Sequence, residues 1–185
     1  MPVQRIIHNN RLIIQILYMR FSGALVIAGM IFLSACKKEE TATCNLSANI
    51  ALANPTEVDS LRRYITTNNI NAVESPQGFF YSIQNPGSGT SITPCSMVVT
   101  TYSGKILQTG RVFDETGSSP RVFTAGQLID GAKAGLLMLK KGGSIQLYIP
   151  PSLGYGSIPR LNGPGDTAIK ANAYLQFDFQ VTDVK

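Results

Sequence analysis

Histidine and tryptophan are the scarcest side chains in this sequence of 185 residues: tryptophan is absent, and histidine occurs once, as His8. The chain beyond that position lacks the imidazole needed for Ser-His-Asp or Cys-His catalysis and for a histidine-ligated zinc site. From residue 36 onward, 13 lysines and arginines stand against 11 acids, because three of the 16 basic residues come earlier. Such a nearly neutral chain gives no electrostatic basis for nucleic-acid binding, and we expect neither a metal nor a cofactor.

An apolar run long enough to span a membrane is also missing, because the run over residues 21–35 is shorter than the required length of about 20 residues. It follows a basic residue and ends at Leu33-Ser34-Ala35-Cys36, which resembles the lipobox of bacterial lipoproteins. The pattern predicts a lipoprotein signal peptide over residues 1–35, with Met19 as an alternative start, and a lipid anchor on Cys36. An uncleaved anchor helix is the other interpretation.

The stretch after this signal, residues 36–54, is small and polar and predicts a lipidated, flexible leash. Its charged segment Lys37-Lys38-Glu39-Glu40 resembles a surface-export tag of lipoproteins, and an ordinary solvated stretch explains it equally well. We expect a monomer held in the cell envelope by its lipid, on the outer membrane and facing the periplasm or the cell surface.

Two further cysteines, Cys44 in the leash and Cys95 before a predicted strand, complete the cysteine count of three. A disulfide between them is chemically permitted in an exported protein, and it would tie the leash to the domain. Two free thiols are the alternative. Thiol redox catalysis is not expected, because the sequence has no Cys-x-x-Cys motif.

Residues 55–96 are predicted to be a lead-in of one helix and one strand. The helix is expected over residues 55–70, where Thr56 and Asp59 have nearly the spacing of a capping box. A strand is expected over residues 78–83.

The following domain, residues 97–185, reads as α+β. Residues 145–149 and 175–181 alternate between apolar and polar side chains, which predicts antiparallel strands with one packed face and one wet face. The first strand is expected to break at Ser103-Gly104. A single helix over residues 131–139, with Asp130 as its N-cap, is expected to cover the only apolar face of the sheet.

Aromatic residues lie beside glycines in the loops of this domain, where a glycine turn can present a ring to a pocket. Several fragments occur in order and in register from about residue 97 to the end of the chain. They resemble FKBP-type peptidyl-prolyl cis-trans isomerases and are Tyr102-Ser103-Gly104, Gly110-x-x-Phe113-Asp114, Phe123-x-x-Gly126-x-Leu128-Ile129-x-Gly131, Gly135-Leu136, Met138-x-x-x-Gly142, Ile149-Pro150-x-x-Leu153-x-Tyr155-Gly156 and Leu175-x-Phe177-Asp178.

The resemblance implies a curved antiparallel half-barrel wrapped around one short helix, with an extra helix on its N-terminal side. It also implies an enzyme that accelerates rotation of X-Pro bonds in polypeptide clients during protein folding. Its catalytic pocket would be formed by Tyr102, Phe113, Asp114, Tyr155 and Phe177, and further substrate-binding residues would be Leu128, Ile129, Ala132 and Ile169. In this scheme the Ile129 N–H and the Tyr155 hydroxyl bind substrate carbonyls, and Ile169 overhangs the site.

One position departs from the family pattern. The residue after Gly131, usually a tryptophan at the pocket floor, is Ala132. Loss of that ring is expected to open the pocket unless a neighbouring side chain fills the space. A module that binds proline-containing peptides or a partner without catalysis is therefore the alternative function. Each apolar site residue also has an ordinary explanation as part of the core.

Overall fold

The computed structural model describes residues 43–163 and 166–185. The predicted signal peptide, the lipid anchor on Cys36 and the first part of the leash lie outside these residues. None of the helices in the described part of the chain is both long and apolar enough to cross a membrane.

Two helices and nine strands account for the regular structure of the described residues. The helices are α1 (Pro55–Thr67) and α2 (Asp130–Leu137), and short 3-10 turns cover Ala125–Gln127 and Pro151–Leu153. The strands are β1 (Val73–Glu74), β2 (Phe80–Asn85), β3 (Met97–Ile106), β4 (Val112–Glu115), β5 (Arg121–Thr124), β6 (Ser144–Ile149), β7 (Arg160–Gly163), β8 (Asp166–Ile169) and β9 (Leu175–Val184).

Seven strands form one antiparallel sheet in the order β1-β2-β6-β9-β3-β4, and β5 also pairs with β3. Strands β7 and β8 form a separate hairpin. The expected break in β3 is wrong, because Ser103 and Gly104 pair with Asp178 and Phe177 of β9 and the strand continues through them. The predicted α+β class, an antiparallel sheet around a short helix, is confirmed.

Helix α2 covers the inner face of the sheet at very short range. A Cβ atom on Gly131 would lie 2.5 Å from Cγ2 of Ile149 on β6, so only glycine permits this approach. The helix begins at Asp130 and ends at Leu137, slightly earlier than predicted. Its N-cap is Ile129, not Asp130 as predicted, and Asp130 instead forms an ion pair with Lys133 in the first turn.

The outer face of the sheet carries a second apolar cluster, so the expectation of a single packed face is wrong. Phe80 and Tyr148 are partners across β2 and β6, and both are buried beneath α1. The helix contributes Val58, Leu61 and Ile65, which recur on one side of it. Its first turn is capped by the Asn54 side chain, which accepts the Thr56 N–H at 3.0 Å, and no capping box forms.

The end of the predicted leash is tied to the domain. A disulfide joins Cys44 to Cys95, and the Ala53 N–H donates to the Gln77 carbonyl at 2.9 Å. Ile50 and Ala53 pack against buried core residues. From Cys44 onward, this part of the predicted leash is therefore attached to the domain.

Leu61 tests the outer cluster, because its side chain is 1% exposed between α1 and the sheet. For Leu61→Ala we expect the free energy of unfolding to fall by about 2–5 kcal/mol, the usual cost of such a cavity. Arg63→Ala, on the exposed side of the same helix, should change it by less than about 0.5 kcal/mol. Urea denaturation measures both, and equal effects of the two substitutions would contradict the packing.

Candidate functional site

Three of the predicted aromatic residues meet on the inner face of the sheet. Tyr102 lies on β3, Phe113 on β4 and Phe177 on β9. The Phe113 and Phe177 rings are 5.6 Å apart between centroids and nearly perpendicular, and the Tyr102 and Phe177 centroids are 6.3 Å apart. Edge-to-face packing of this kind fixes the orientation of each ring. The structure thus brings residues from three strands into one aromatic group.

Gly104 makes this convergence possible. It pairs with Phe177 on one side and with Asp114 on the other. A Cβ atom at this position would lie 2.7 Å from Cζ of Phe113 and 2.9 Å from Cε1 of Phe177. The sequence motif contains this glycine, which local sequence alone predicts to be a strand break. Its close contact with two rings is visible only in the folded sheet.

Asp114 lies beside these rings in a small polar network. It accepts a hydrogen bond from the Tyr102 hydroxyl and forms an ion pair with Arg121 at 3.2 Å. Arg121 also donates to the Tyr102 hydroxyl oxygen at 3.0 Å. Burial and the nearby Asp114 carboxylate raise the pKa of Tyr102 to about 12. Sequence analysis missed Arg121, because an exposed arginine on a short strand gives no signal of its partners.

Tyr155 follows the second 3-10 turn and is partly buried against the same core cluster. The guanidinium carbon of Arg160 lies 5.0 Å from the centroid of its ring, a cation–π distance. Burial raises the pKa of Tyr155, Arg160 lowers it and Asp114 raises it. The hydroxyl therefore keeps its proton at neutral pH and can donate a hydrogen bond.

Leu128 and Ile129 connect the first 3-10 turn to α2, and both are partly buried against the core cluster. Among the hydrogen bonds between described residues, the Ile129 N–H donates to no acceptor, while the Ile129 carbonyl accepts the Lys133 N–H at 2.9 Å. A free backbone donor at the start of a helix can bind an incoming carbonyl oxygen. This geometry agrees with the role that the resemblance implies for Ile129.

Ala132 and Ile169 lie deeper than expected. Ala132 is 2% exposed, so its short side chain is covered by neighbouring residues. Ile169 is 4% exposed at the end of β8, the second strand of the separate hairpin. The Ala168 carbonyl beside it accepts a hydrogen bond from Arg111. Both residues belong to the buried cluster that contains Phe177.

Two more rings, which the site prediction omitted, extend the aromatic group inward. The centroid of Tyr102 is 5.6 Å from that of Phe123 and 5.7 Å from that of Phe179. The rings of Phe177 and Phe179 stack at 5.3 Å. Alternation along β9 could have identified Phe179, since residues two apart share a face of the sheet.

Together these residues form an apolar aromatic site with a few hydrogen-bonding groups at its edge. Such a site suits an uncharged, flat ligand that presents carbonyl oxygens. Within residues 43–163 and 166–185, no three His, Cys, Asp or Glu side chains cluster closely enough to hold a metal ion. The fold and the site define an α+β protein whose antiparallel sheet carries a cluster of aromatic side chains against a short helix.

Comparison with known proteins identifies the family. A family profile described as FKBP-type peptidyl-prolyl cis-trans isomerase matches residues 89–182, about half of the chain. The chain belongs to this family.

Individual relatives agree with this assignment. A probable FKBP-type peptidyl-prolyl cis-trans isomerase of Haemophilus influenzae is 40% identical over 109 residues, which are 58% of this chain and 43% of that protein. The crystal structure of FkpA from Escherichia coli superposes with a TM-score of 0.58 at 30% identity, covering 70% of this chain and 58% of FkpA.

A third similar structure is a peptidyl-prolyl cis-trans isomerase from Pseudomonas syringae pv. tomato. Its TM-score is 0.57 at 23% identity, over 73% of this chain and 99% of that one, and this likeness concerns the fold alone. The matching region spans less than half of the Haemophilus influenzae protein, so this chain corresponds to only part of that relative.

Raised tyrosine pKa values predict a loss of stability in alkali. In the folded protein the pKa values of Tyr102 and Tyr148 are raised to about 12, whereas an unfolded tyrosine loses its proton near pH 10. The unfolded state therefore binds fewer protons between pH 10 and 12, so stability present below pH 10 falls across that window. The melting temperature should drop less steeply with pH in Tyr102→Phe, and an unchanged slope would contradict the assignment.

Proposed function

We propose that this protein is a peptidyl-prolyl cis-trans isomerase that accelerates rotation about X-Pro bonds in polypeptide clients. The main observation behind the proposal is the convergence of Tyr102, Phe113 and Phe177 around Gly104, with Asp114 hydrogen-bonded to Tyr102. Ile129, whose N–H has no acceptor among the described residues, packs against the same core cluster. Family membership supports the same reaction.

The chemistry needs binding rather than bond cleavage. Resonance keeps the X-Pro peptide bond planar, and unaided isomerisation takes tens to hundreds of seconds. The planar ground state spreads charge over the oxygen and nitrogen of the bond, and a dry aromatic pocket solvates this charge poorly. The twisted state is less polarised and fits better, so the pocket lowers the barrier by preferring the transition state.

Two polar groups would hold the peptide while the bond rotates. The Ile129 N–H and the Tyr155 hydroxyl would each donate a hydrogen bond to one substrate carbonyl oxygen. Asp114 accepts a hydrogen bond from the Tyr102 hydroxyl and forms an ion pair with Arg121. Arg121 also donates to the Tyr102 hydroxyl oxygen, and these bonds together keep the Tyr102 ring in place. Leu128, Ala132 and Ile169 would complete the apolar wall.

The cellular setting is part of the proposal. The signal-peptide pattern and the lipobox at Cys36 favour a lipid-anchored protein of the cell envelope, on the outer membrane and facing the periplasm or the cell surface. Its clients would be exported polypeptides that contain proline, and we infer that it acts as a monomer. Electrophoretic mobility tests the lipid anchor. We expect globomycin, which blocks cleavage of lipoprotein signal peptides, to shift the mobility of the wild type and to leave that of Cys36→Ser unchanged.

An isomerase assay on the full chain, purified in mild detergent, tests the reaction. We expect isomerisation of a short X-Pro peptide to exceed the buffer rate, and Tyr155→Phe to lower kcat/KM about 3–10-fold by removing one hydrogen bond. Tyr148→Phe is the matched control, because Tyr148 is a buried tyrosine on the outer face of the sheet. A wild-type rate equal to that in buffer would refute the proposal.

A peptide-binding module without catalysis is the second candidate, and the alanine at position 132 favours it. Isothermal titration with the same X-Pro peptide separates the two functions. Measurable affinity without rate enhancement, retained in Tyr155→Phe, would establish binding alone.

The pH profile should report a reaction without acid–base groups. Because Tyr102 has a pKa of about 12 and burial raises the pKa of Tyr155, both hydroxyls stay protonated under ordinary conditions. We expect kcat/KM to vary less than about two-fold between pH 6 and 9. A general acid or base titrating in this range would instead change the rate by up to about ten-fold per pH unit, which would contradict the mechanism.

A further inference from the structure

We propose that residues 44–54, called the strap below, position two segments that carry residues of the proposed proline pocket and are called its walls. The first segment is residues 125–130, which carries Leu128 and Ile129, and the second is residues 151–155, which ends at Tyr155. The strap is remote from both in sequence and contacts both. Its effect on catalysis rests on the proposed isomerase function, whereas its effect on the order of these segments can be measured separately.

The disulfide attaches the strap next to the first wall. Cys44 is bonded to Cys95, and the two neighbours of Cys95 accept hydrogen bonds from the first wall. The Pro94 carbonyl accepts the Gly126 N–H at 2.8 Å, and the Ser96 carbonyl accepts the Ala125 N–H at 3.0 Å. The turn that leads into Leu128 is therefore held by the same loop that anchors the strap.

Leu46 of the strap packs directly on this turn. A Cβ atom on Gly126 would lie 3.0 Å from Cβ of Leu46 and 2.8 Å from the Pro94 carbonyl oxygen. The turn is thus enclosed between the strap and the Cys95 loop, and glycine is the residue that leaves room for both.

The strap also holds the start of α2. The Lys133 side chain is 10% exposed, and its Nζ lies 2.8 Å from Oδ1 of Asp130 and donates to the Asn49 carbonyl at 3.0 Å. The Ala51 N–H donates to Oδ2 of Asp130 at 3.4 Å. A buried ammonium group requires such partners, so the strap backbone is part of the structure that fixes Asp130, the residue directly after Ile129.

The second wall is held at the other end of the strap. The Asn54 N–H donates to Oγ of Ser152 at 3.0 Å. Ser152 in turn donates through its N–H at 2.8 Å and its hydroxyl at 2.6 Å to the Glu57 carboxylate, in the first turn of α1. Ser152 lies in the 3-10 turn Pro151–Leu153 that precedes Tyr155. The strap therefore ends on the segment that orients the Tyr155 hydroxyl.

These contacts predict a positioning role, because no strap residue is among those that form the pocket. Ordered walls increase the fraction of molecules that can bind the peptide at any moment. The apparent affinity for the peptide falls in proportion when this fraction falls. Loosening the strap should therefore lower kcat/KM while leaving the aromatic residues intact.

The test compares strap variants with an equally informative control. Two variants, called the strap variants, each remove a contact that attaches the strap. Cys44→Ser with Cys95→Ser removes the disulfide, and Lys133→Met removes the hydrogen bond to the Asn49 carbonyl. The control is Arg63→Ala, on the exposed side of α1. Each full-length variant is assayed well below its melting temperature, and amide hydrogen exchange is followed by NMR at three wall amides. The Ala125 and Gly126 N–H groups donate to the carbonyls of Ser96 and Pro94, and the Gly154 N–H donates to the Pro151 carbonyl.

We expect kcat/KM to fall 3–10-fold in both strap variants and exchange at these amides to accelerate at least ten-fold more than at amides of the β3–β9 pairing, with neither change in Arg63→Ala. Dithiothreitol should reproduce the effect in the wild type and should not alter the Cys44→Ser, Cys95→Ser variant further. If the strap variants match the control in both measurements, the positioning role is refuted while the isomerase proposal stands. If the wild type shows no isomerase activity, the proposed function fails, and the exchange rates alone decide whether the strap orders the walls.

Discussion

The register between β3 and β9 is the constraint on which the pocket depends. It places Gly104 opposite Phe177, so that the Phe113 and Phe177 rings meet where any side chain at position 104 would keep them apart. A slip by one residue would move every side chain of a strand to the other face of the sheet. The pairing keeps one register along β3 from Thr100 to Ile106, after a shift between Val99 and Thr100, and this regular stretch contains both Tyr102 and Gly104.

Around this pairing, the sheet is packed on both sides, and the two sides have different tasks. Helix α2 lies on the inner face and positions Ile129 at its start, whereas α1 covers Phe80 and Tyr148 on the outer face. The segment between the disulfide and α1 runs past both pocket walls. A stretch that the sequence predicts to be a spacer is therefore attached to the domain by a disulfide and by hydrogen bonds to Asp130, Lys133 and Ser152.

The polar groups of the site are few and are already partnered with one another. Tyr102, Asp114 and Arg121 form a network at the edge of the rings, and the raised pKa values of Tyr102 and Tyr155 keep both hydroxyls neutral. Because their pKa values are raised, the Tyr102 and Tyr155 hydroxyls can form hydrogen bonds but do not lose their protons near neutral pH. This agrees with a reaction in which a bond rotates and none is broken, and it explains why a chain with one histidine is not at a disadvantage.

The sequence alone determined the α+β class, the antiparallel strands and the residues Tyr102, Phe113 and Phe177 of the aromatic group, because alternation and ordered motifs are local properties of the chain. Only the tertiary structure revealed the role of Gly104, the partner Arg121, the packed outer face beneath α1 and the attachment of residues 44–54. Each of these depends on contacts between residues far apart in sequence. Local sequence predicts a strand break at Gly104 and a flexible leash over residues 44–54. Their actual roles depend on the surfaces against which they pack, and local sequence does not show these surfaces.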